Sequence, residues 1–216
     1  MHSETRMLPS PRLIIFDLDG TLVDSLRDIG ESLNACLTLL GLPTYSIDRY
    51  RYMVGEGFPE LCRRAIGAEH PLLGRLVELG RARYRPHCLD HTRPYPGVKE
   101  LIGRLRGTTR LAVLSNKPHD MTARIVTALW PDGVFDCVQG MVSEQRRKPS
   151  PHHVHEIGAQ LGIAARDTWF VGDTPTDVQT ARAAGCHSIG VTWGYRTRDD
   201  LVAAGAARII NHPDEL

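Results

Sequence analysis

Four short apolar runs along the chain have the length and composition of buried β-strands. They occupy positions 13–16 (LIIF), 111–115 (LAVLS), 168–172 (TWFVG) and 186–192 (CHSIGVT), with a weaker fifth candidate at 135–142. Apolar residues at helical spacing mark 97–107, 150–163 and 174–185, each shortly before a strand run. Alternating helices and strands of this kind predict an α/β fold, in which helices cover both faces of a parallel sheet.

One connection is too long for a simple crossover. Positions 17–110 separate the first two strong runs, whereas a parallel crossover needs only about a dozen residues. Helical patterns fill the interval at 28–43, 58–67 and 70–87, and the proline-containing stretch 91–98 is typical of a return linker. We therefore predict an inserted helical unit at 25–92, a core formed by 12–24 and 93–216, and a loose tail at 1–11.

Composition excludes several classes of protein. The chain has 216 residues, 42% hydrophobic, with a formal net charge of +1, so no strong basic field is available for nucleic acid or an anionic membrane. The five cysteines are scattered without a CxxC pair, which predicts reduced thiols rather than a disulfide framework. No secretory signal or membrane-length apolar run occurs. We expect a cytoplasmic protein; no pattern indicates its oligomeric state.

Polar side chains follow three of the predicted strands. In an open parallel sheet the carboxyl ends of the strands form the active crevice, so these residues should converge. After the first run come Asp17 and Asp19, after the second Ser115, Asn116 and Lys117, and after the third Asp173 and Asp177; the basic segment 146–151 adds Lys148.

This set of residues points to phosphoryl chemistry. Hard carboxylate oxygens suit Mg²⁺, which bridges to phosphate, and a carboxylate can itself attack phosphorus. A second carboxylate can act as general acid and then as general base. Ser115 and the amide of Asn116 can donate hydrogen bonds to phosphoryl oxygens, and Lys148 can neutralise charge in the transition state.

Four motifs carry a resemblance to a known family. They are DLDGTLVDS from position 17, LAVLSNK from 111, KPSP from 148 and FVGDTPTD from 170, and they occur in this order. The chain is thereby identified as a member of the haloacid dehalogenase (HAD) superfamily. The resemblance implies a Rossmann-like parallel sheet core with an inserted helical cap of the C1 type.

The same resemblance implies roles for individual residues. Asp17 would be the nucleophile and Asp19 the general acid/base. Mg²⁺ would be held by Asp17, Asp173 and the backbone carbonyl of Asp19. Ser115 and Lys148 would hold the phosphate, and Asp177 would orient Lys148 or a metal-bound water. Family members that cleave carbon–halogen bonds lack the second acid, so the presence of Asp19 indicates a phosphatase.

Softer cues concern the substrate. Segments 93–98, 114–118 and 191–196 are similar to those of phosphoglycolate phosphatases, and the cap segment 53–65 resembles that group's specificity loop. The hypothesis is a Mg²⁺-dependent phosphatase of a small phosphorylated acid such as 2-phosphoglycolate. Other small phosphorylated metabolites (a sugar phosphate, a nucleotide or a pyrophosphate), a phosphosugar mutase and a non-catalytic phospho-acceptor module remain alternatives.

Each single residue also has a simpler structural interpretation. Asp17 and Asp19 could form a turn after a strand, and Ser115 or Asp173 could cap a helix. Lys148 could belong to a solvated basic run. For Arg63 and Arg64 in the predicted cap, a solvated helix face and contact with a substrate carboxylate are both open.

Overall fold

A six-stranded parallel sheet forms the centre of the computed structural model, which describes residues 8–216. The predicted tail at 1–11 therefore falls largely outside the described residues. The strands along the described chain are β1 Leu13–Phe16, β2 Val23–Asp24, β3 Arg93–Pro94, β4 Arg110–Pro118, β5 Cys137–Met141, β6 Thr168–Gly172, β7 His187–Val191 and β8 Arg208–Ile210. The sheet order is β5-β4-β1-β6-β7-β8, and β2 pairs with β3 in a separate two-stranded ribbon.

Helices cover both faces of this sheet. They are α1 Leu26–Leu39, α2 Phe58–Ile66, α3 Leu73–His87, α4 Val98–Leu105, α5 His119–Leu129, α6 His152–Leu161, α7 Pro175–Ala184 and α8 Arg198–Ala204. Successive side chains of β1 point to opposite faces. Ile14 and Phe16 therefore join one hydrophobic cluster, and Leu13 and Ile15 join the other. Burial on both faces explains why this strand is an unbroken apolar run.

The predicted fold class is confirmed: the chain has a Rossmann-like parallel sheet flanked by helices. The runs 13–16 and 168–172 are strands with the predicted bounds. The apolar pattern did not predict β2, β3, β8, α5 or α8. Two of these, β8 and α8, have only three and seven residues, and elements so short carry little periodicity. Among residues 8–216, no helix is long and apolar enough to cross a bilayer.

Three helices interrupt the sheet between β1 and β4. α1, α2 and α3 lie in the segment that leaves the core at β2 and returns at β3, and these two strands pair antiparallel, Val23 with Pro94 and Asp24 with Arg93. The buried carboxylate of Asp28 accepts hydrogen bonds from the backbone N–H groups of His91 and Thr92 at 2.8–3.0 Å. The outgoing and returning chains are thus fixed side by side.

Candidate active site

The chemistry-bearing residues converge where three adjacent strands end. β4, β1 and β6 are neighbours in the sheet, so their carboxyl ends lie along one edge. Asp17 directly follows β1, Asp173 directly follows β6, and Ser115 lies near the end of β4, beyond the point at which its pairing with β5 becomes irregular. Parallel topology therefore brings together groups that are distant in sequence.

Lys148 lies between two carboxylates. Its Nζ is 2.8 Å from Oδ1 of Asp17 and 2.7 Å from Oδ1 of Asp177. All three side chains are buried. Asp177 also closes a capping box at the start of α7, because its Oδ2 accepts from the N–H and hydroxyl of Thr174. The helix cap thus fixes Asp177, and Asp177 in turn orients the ammonium of Lys148.

Asp173 is fully buried and held from two sides. The Thr21 hydroxyl donates to its Oδ1 at 2.9 Å, and the backbone N–H of Tyr195 donates to its Oδ2 at 2.8 Å. Gly20 packs against this carboxylate with φ at +87°, and a Cβ there would lie 2.3 Å from Oδ2. Only glycine accommodates both the left-handed backbone and this close approach, which explains the glycine in the DxDGT motif.

Three carboxyl groups share one cation in the site. Oxygens of Asp17, Asp173 and Asp177 lie within 4.8 Å of one another, and Lys148 is the only cation in contact with any of them among the described residues. Desolvation raises the pKa of Asp17 to about 8, against the attraction of Lys148, and desolvation with repulsion from Asp177 raises that of Asp173 to about 7. Burial would lower the pKa of Lys148, but the two carboxylates outweigh burial and raise it.

A hard divalent cation fits this donor set. Buried carboxylates whose pKa values are raised by burial and mutual repulsion would be stabilised in the ionised form by a cation among them. Oxygen ligands from Asp residues are those that Mg²⁺ takes in proteins. The acidic cluster is therefore compatible with the metal expected from the sequence.

The raised pKa values predict an unusual dependence of stability on pH in the metal-free protein. Unfolded Asp17 and Asp173 lose their protons near the ordinary value of 3.8, but the folded groups keep theirs to about 8 and 7. Between the ordinary value of 3.8 and these raised values, the folded state binds more protons than the unfolded state. The free energy of unfolding therefore falls as pH rises over this range. Mg²⁺ favours the ionised carboxylates, so its stabilisation should grow over the same range.

Thermal unfolding midpoints measured with a chelator and with excess Mg²⁺, at about pH 5.5, 7 and 8.5, check this expectation. The gap between the two midpoints should widen by several degrees with pH. Asp132 is exposed and lies outside the cavity, and Asp132→Asn should leave the trend intact. A gap that is constant with pH would contradict the expectation.

Asp19 lies in a different environment from Asp17. Their two-residue spacing would place both on one face if the strand continued, but β1 ends at Phe16 and the carbonyl of Leu18 accepts the N–H groups of Leu22 and Val23 in a tight turn. The Asp19 carboxylate contacts Ser25 and Lys117. Its side-chain partners therefore differ from those of Asp17, although both residues line the same cavity.

The side chain of Asn116 is committed to the backbone around Lys148. Its Oδ1 accepts the N–H of Lys148 at 2.8 Å, and its Nδ2 lies 3.2 Å from the carbonyls of both Lys148 and Gly55. Only its backbone amide is left for the predicted contact with phosphate. The Ser115 hydroxyl accepts the N–H of Lys117 at 3.3 Å and faces the cavity beside Asp17.

A small cavity of about 50 Å³ separates the acids from the inserted helices. One buried water needs about 10–15 Å³ of such volume, so the space suits only a small ligand. Asp17, Asp19, Ser115 and Asn116 line its base; Phe58, Leu61, Arg81 and Tyr84 are among the residues that line its roof. The cavity therefore combines a polar floor with a largely apolar lid.

Arg63 and Arg64 do not line this cavity. Arg63 pairs with Glu60, and Arg64 pairs with Glu56 and also donates to the Met53 carbonyl. Their predicted contact with substrate stays a prediction. Arg81 does line the cavity and makes no ion pair within residues 8–216. The sequence analysis did not single out Arg81, because nothing in the sequence distinguishes it from the other arginines of the same helix.

A parallel sheet with acids at the ends of β1 and β6 and a lysine between them defines a class of enzyme. Residues 14–191 match the family model of haloacid dehalogenase-like hydrolases, and the chain belongs to that family. The resemblance seen in the four sequence motifs is thereby confirmed.

Within this family, the chain is similar to proteins that are named phosphoglycolate phosphatases. The chain is 36% identical to a phosphoglycolate phosphatase of Chromobacterium violaceum, over 95% of this chain and 94% of that one. It is 34% identical to a phosphoglycolate phosphatase of Mesorhizobium japonicum, over 94% and 92% of the two chains. The crystal structure of a predicted phosphoglycolate phosphatase from Haemophilus somnus superposes with a TM-score of 0.87 at 29% identity, covering 94% of this chain and 95% of that one.

Proposed function

We propose that the protein is a Mg²⁺-dependent phosphomonoester hydrolase that works through an aspartyl-phosphate on Asp17. The observation that carries the proposal is the placement of Asp17. It lies at the end of β1, paired with Lys148 and close to Asp173, and it faces a cavity that Asp19 and Ser115 also line. A nucleophile, a candidate acid/base and charge-neutralising groups thus surround one small space.

The first half of the reaction transfers the phosphoryl group to the protein. A carboxylate oxygen of Asp17 attacks phosphorus, and the bond from phosphorus to the ester oxygen breaks. Asp19 gives its proton to the departing oxygen, which leaves as the alcohol. Lys148 and the Ser115 hydroxyl offset charge on the phosphoryl oxygens in the transition state.

The second half restores the enzyme. Asp19, now ionised, takes a proton from water, and the water oxygen attacks phosphorus. Inorganic phosphate is released and Asp17 is regenerated as a carboxylate, so Asp19 ends the cycle protonated again. Mg²⁺ held by Asp17, Asp173 and the backbone carbonyl of Asp19 would offset the negative charge of the phosphoryl group.

Residues 25–92 act as a cap over this site. Two arginines of the core bind carbonyl groups of the cap: Arg147 donates to Glu56 at 2.7 Å and Arg196 to Val54 at 2.9 Å. Arg147 directly precedes Lys148, so the cap rests on the loop that carries the phosphate-binding lysine. Closure of this kind excludes bulk water and strengthens the electrostatic interactions in the site.

The proposed substrate is a small phosphorylated acid such as 2-phosphoglycolate, acted on in the cytoplasm. Three observations support it: the small volume of the cavity, the cationic Arg81 at its wall, and the names of the curated relatives. A carboxylate next to the phosphoester would find an unpaired cation in Arg81.

A panel of small phosphomonoesters tests the proposal. With Mg²⁺, phosphate release from 2-phosphoglycolate should exceed that from hexose phosphates and nucleotides by at least about 100-fold in kcat/KM, because the larger esters do not fit under the closed cap. Faster hydrolysis of a sugar phosphate, nucleotide or pyrophosphate would mean that this compound, and not 2-phosphoglycolate, is the preferred substrate. Isomerisation of a hexose phosphate without phosphate release would indicate a mutase and refute hydrolysis.

A further inference from the structure

Lys117 is a buried cation beside the active site that the mechanism above leaves unused. Its side chain is 3% exposed, and its Nζ lies 2.7 Å from Oδ1 and 2.6 Å from Oδ2 of Asp19. The ammonium therefore holds both oxygens of the carboxylate. A hydrogen bond from the Ser25 hydroxyl to Oδ1, at 2.6 Å, adds a second fixed contact.

Tyr84 of the inserted helices completes this arrangement. Its hydroxyl oxygen accepts from Nζ of Lys117 at 2.9 Å, and Nζ also lies 4.8 Å from the centre of its ring. An ammonium has three N–H donors, and the two oxygens of Asp19 with the Tyr84 hydroxyl supply three acceptors. Lys117 therefore has no donor left for a substrate, which favours a role in orientation over one in binding.

The three residues connect two parts of the chain. Asp19 and Lys117 belong to the sheet core, whereas Tyr84 lies in α3. Tyr84 is 1% exposed and its ring packs against that of Phe58, so its hydroxyl position is set by the packing of the helical unit. Movement of that unit away from the sheet would remove one of the three partners of the Lys117 ammonium.

We infer that Lys117 is a positioning residue that holds Asp19 at the wall of the cavity and stabilises the carboxylate that remains once Asp19 has given its proton to the ester oxygen, and that Tyr84 makes this positioning depend on closure of the helical unit. The inference rests on the proposed function, since it assigns Asp19 the task of protonating the leaving group. Proton transfer by a positioned side chain accelerates reactions about 10²- to 10⁴-fold. Removal of the contact between Lys117 and Asp19 should therefore lose part of this rate acceleration.

Two esters of nearly equal size separate this role from a structural one. Ethyl phosphate has a poor leaving group that needs protonation, whereas trifluoroethyl phosphate releases a more acidic alcohol that needs it less. Lys117→Met should lower kcat/KM for ethyl phosphate by about 100-fold and for trifluoroethyl phosphate by less than about tenfold. Tyr84→Phe should give the same order of effects, about fivefold for ethyl phosphate, and Lys117→Arg should recover part of the loss.

The matched control is Lys99→Met, because Lys99 is an exposed lysine of α4. It should leave both rates unchanged. Circular dichroism shows whether Lys117→Met folds; if it does not, Tyr84→Phe, which keeps the packed ring, carries the test alone. 2-Phosphoglycolate is assayed as a third ester. Equal loss with ethyl phosphate and trifluoroethyl phosphate would overturn the inference, as would a loss seen only with 2-phosphoglycolate, which would make Lys117 a substrate contact. Absence of phosphate release from all three esters by the wild type would instead refute the proposed function.

Discussion

Asp17→Asn should abolish phosphate release while leaving the fold intact. When several catalytic residues act together, removal of the nucleophile lowers kcat by about 10⁴- to 10⁶-fold. The amide has nearly the shape of the carboxyl group and carries no charge. Because burial already raises the pKa of Asp17 to about 8, we expect the unfolding midpoint of the metal-free protein at neutral pH to change by only a few degrees.

Phosphate release and mass spectrometry of acid-quenched enzyme check this result together. The wild type mixed with substrate should carry a phosphoryl adduct on the peptide that contains Asp17, and the variant should carry none. Asp132→Asn is the matched control, since this exposed carboxylate lies outside the cavity. Residual activity within tenfold of wild type, or an adduct on another residue, would refute Asp17 as the nucleophile.

Of the substitutions proposed here, Lys148→Met should lower the stability of the folded protein most. The substitution removes the cation that lies 2.8 Å from Asp17 and 2.7 Å from Asp177, leaving buried carboxylates without their partner. At about pH 8.5, above the raised pKa of Asp17, removal of one member of a buried ion pair costs about 3–5 kcal/mol. For a chain of this size that corresponds to a fall in the unfolding midpoint of about 6–20 °C, and phosphate binding should be lost as well.

The pH dependence gives this prediction a second readout. Protonation of the carboxylates relieves their repulsion, so the variant should lose less stability at about pH 5.5 than at about pH 8.5. Thermal unfolding of the metal-free protein at both values measures the difference. Lys99→Met should be neutral at each pH. An unfolding midpoint of Lys148→Met equal to that of wild type would mean that the ion pair contributes nothing to the folded state.

The sequence predicted the sheet better than the connections within the site. β1 and β6 were recognisable because both faces of each are buried, which produces an unbroken apolar run. The convergence of their carboxyl ends followed from parallel topology. The pairing of Lys117 with Asp19 was not predicted, because it depends on the turn at Leu18, which directs Asp19 away from Asp17.

The cap was harder to predict than the core for a related reason. Helical spacing located α1, α2 and α3, but it did not indicate which of their arginines face the cavity. Glu60, one turn away, binds both Arg63 and Arg64, whereas Glu78, one turn from Arg81, pairs with Arg75 instead. Which arginine lines the cavity without an ion pair among residues 8–216 therefore depends on how the neighbouring charges pair, which composition alone does not reveal.

The ribbon of β2 and β3 has a consequence for how such enzymes diversify. Its paired residues, Val23 with Pro94 and Asp24 with Arg93, bring the two ends of the helical unit to within about 5 Å of each other. A foreign segment with similarly close ends could be grafted at this junction without disturbing the parallel sheet. The ribbon is therefore the junction at which we expect replacement of the helical unit alone to change the substrate while the residues at the strand ends stay in place.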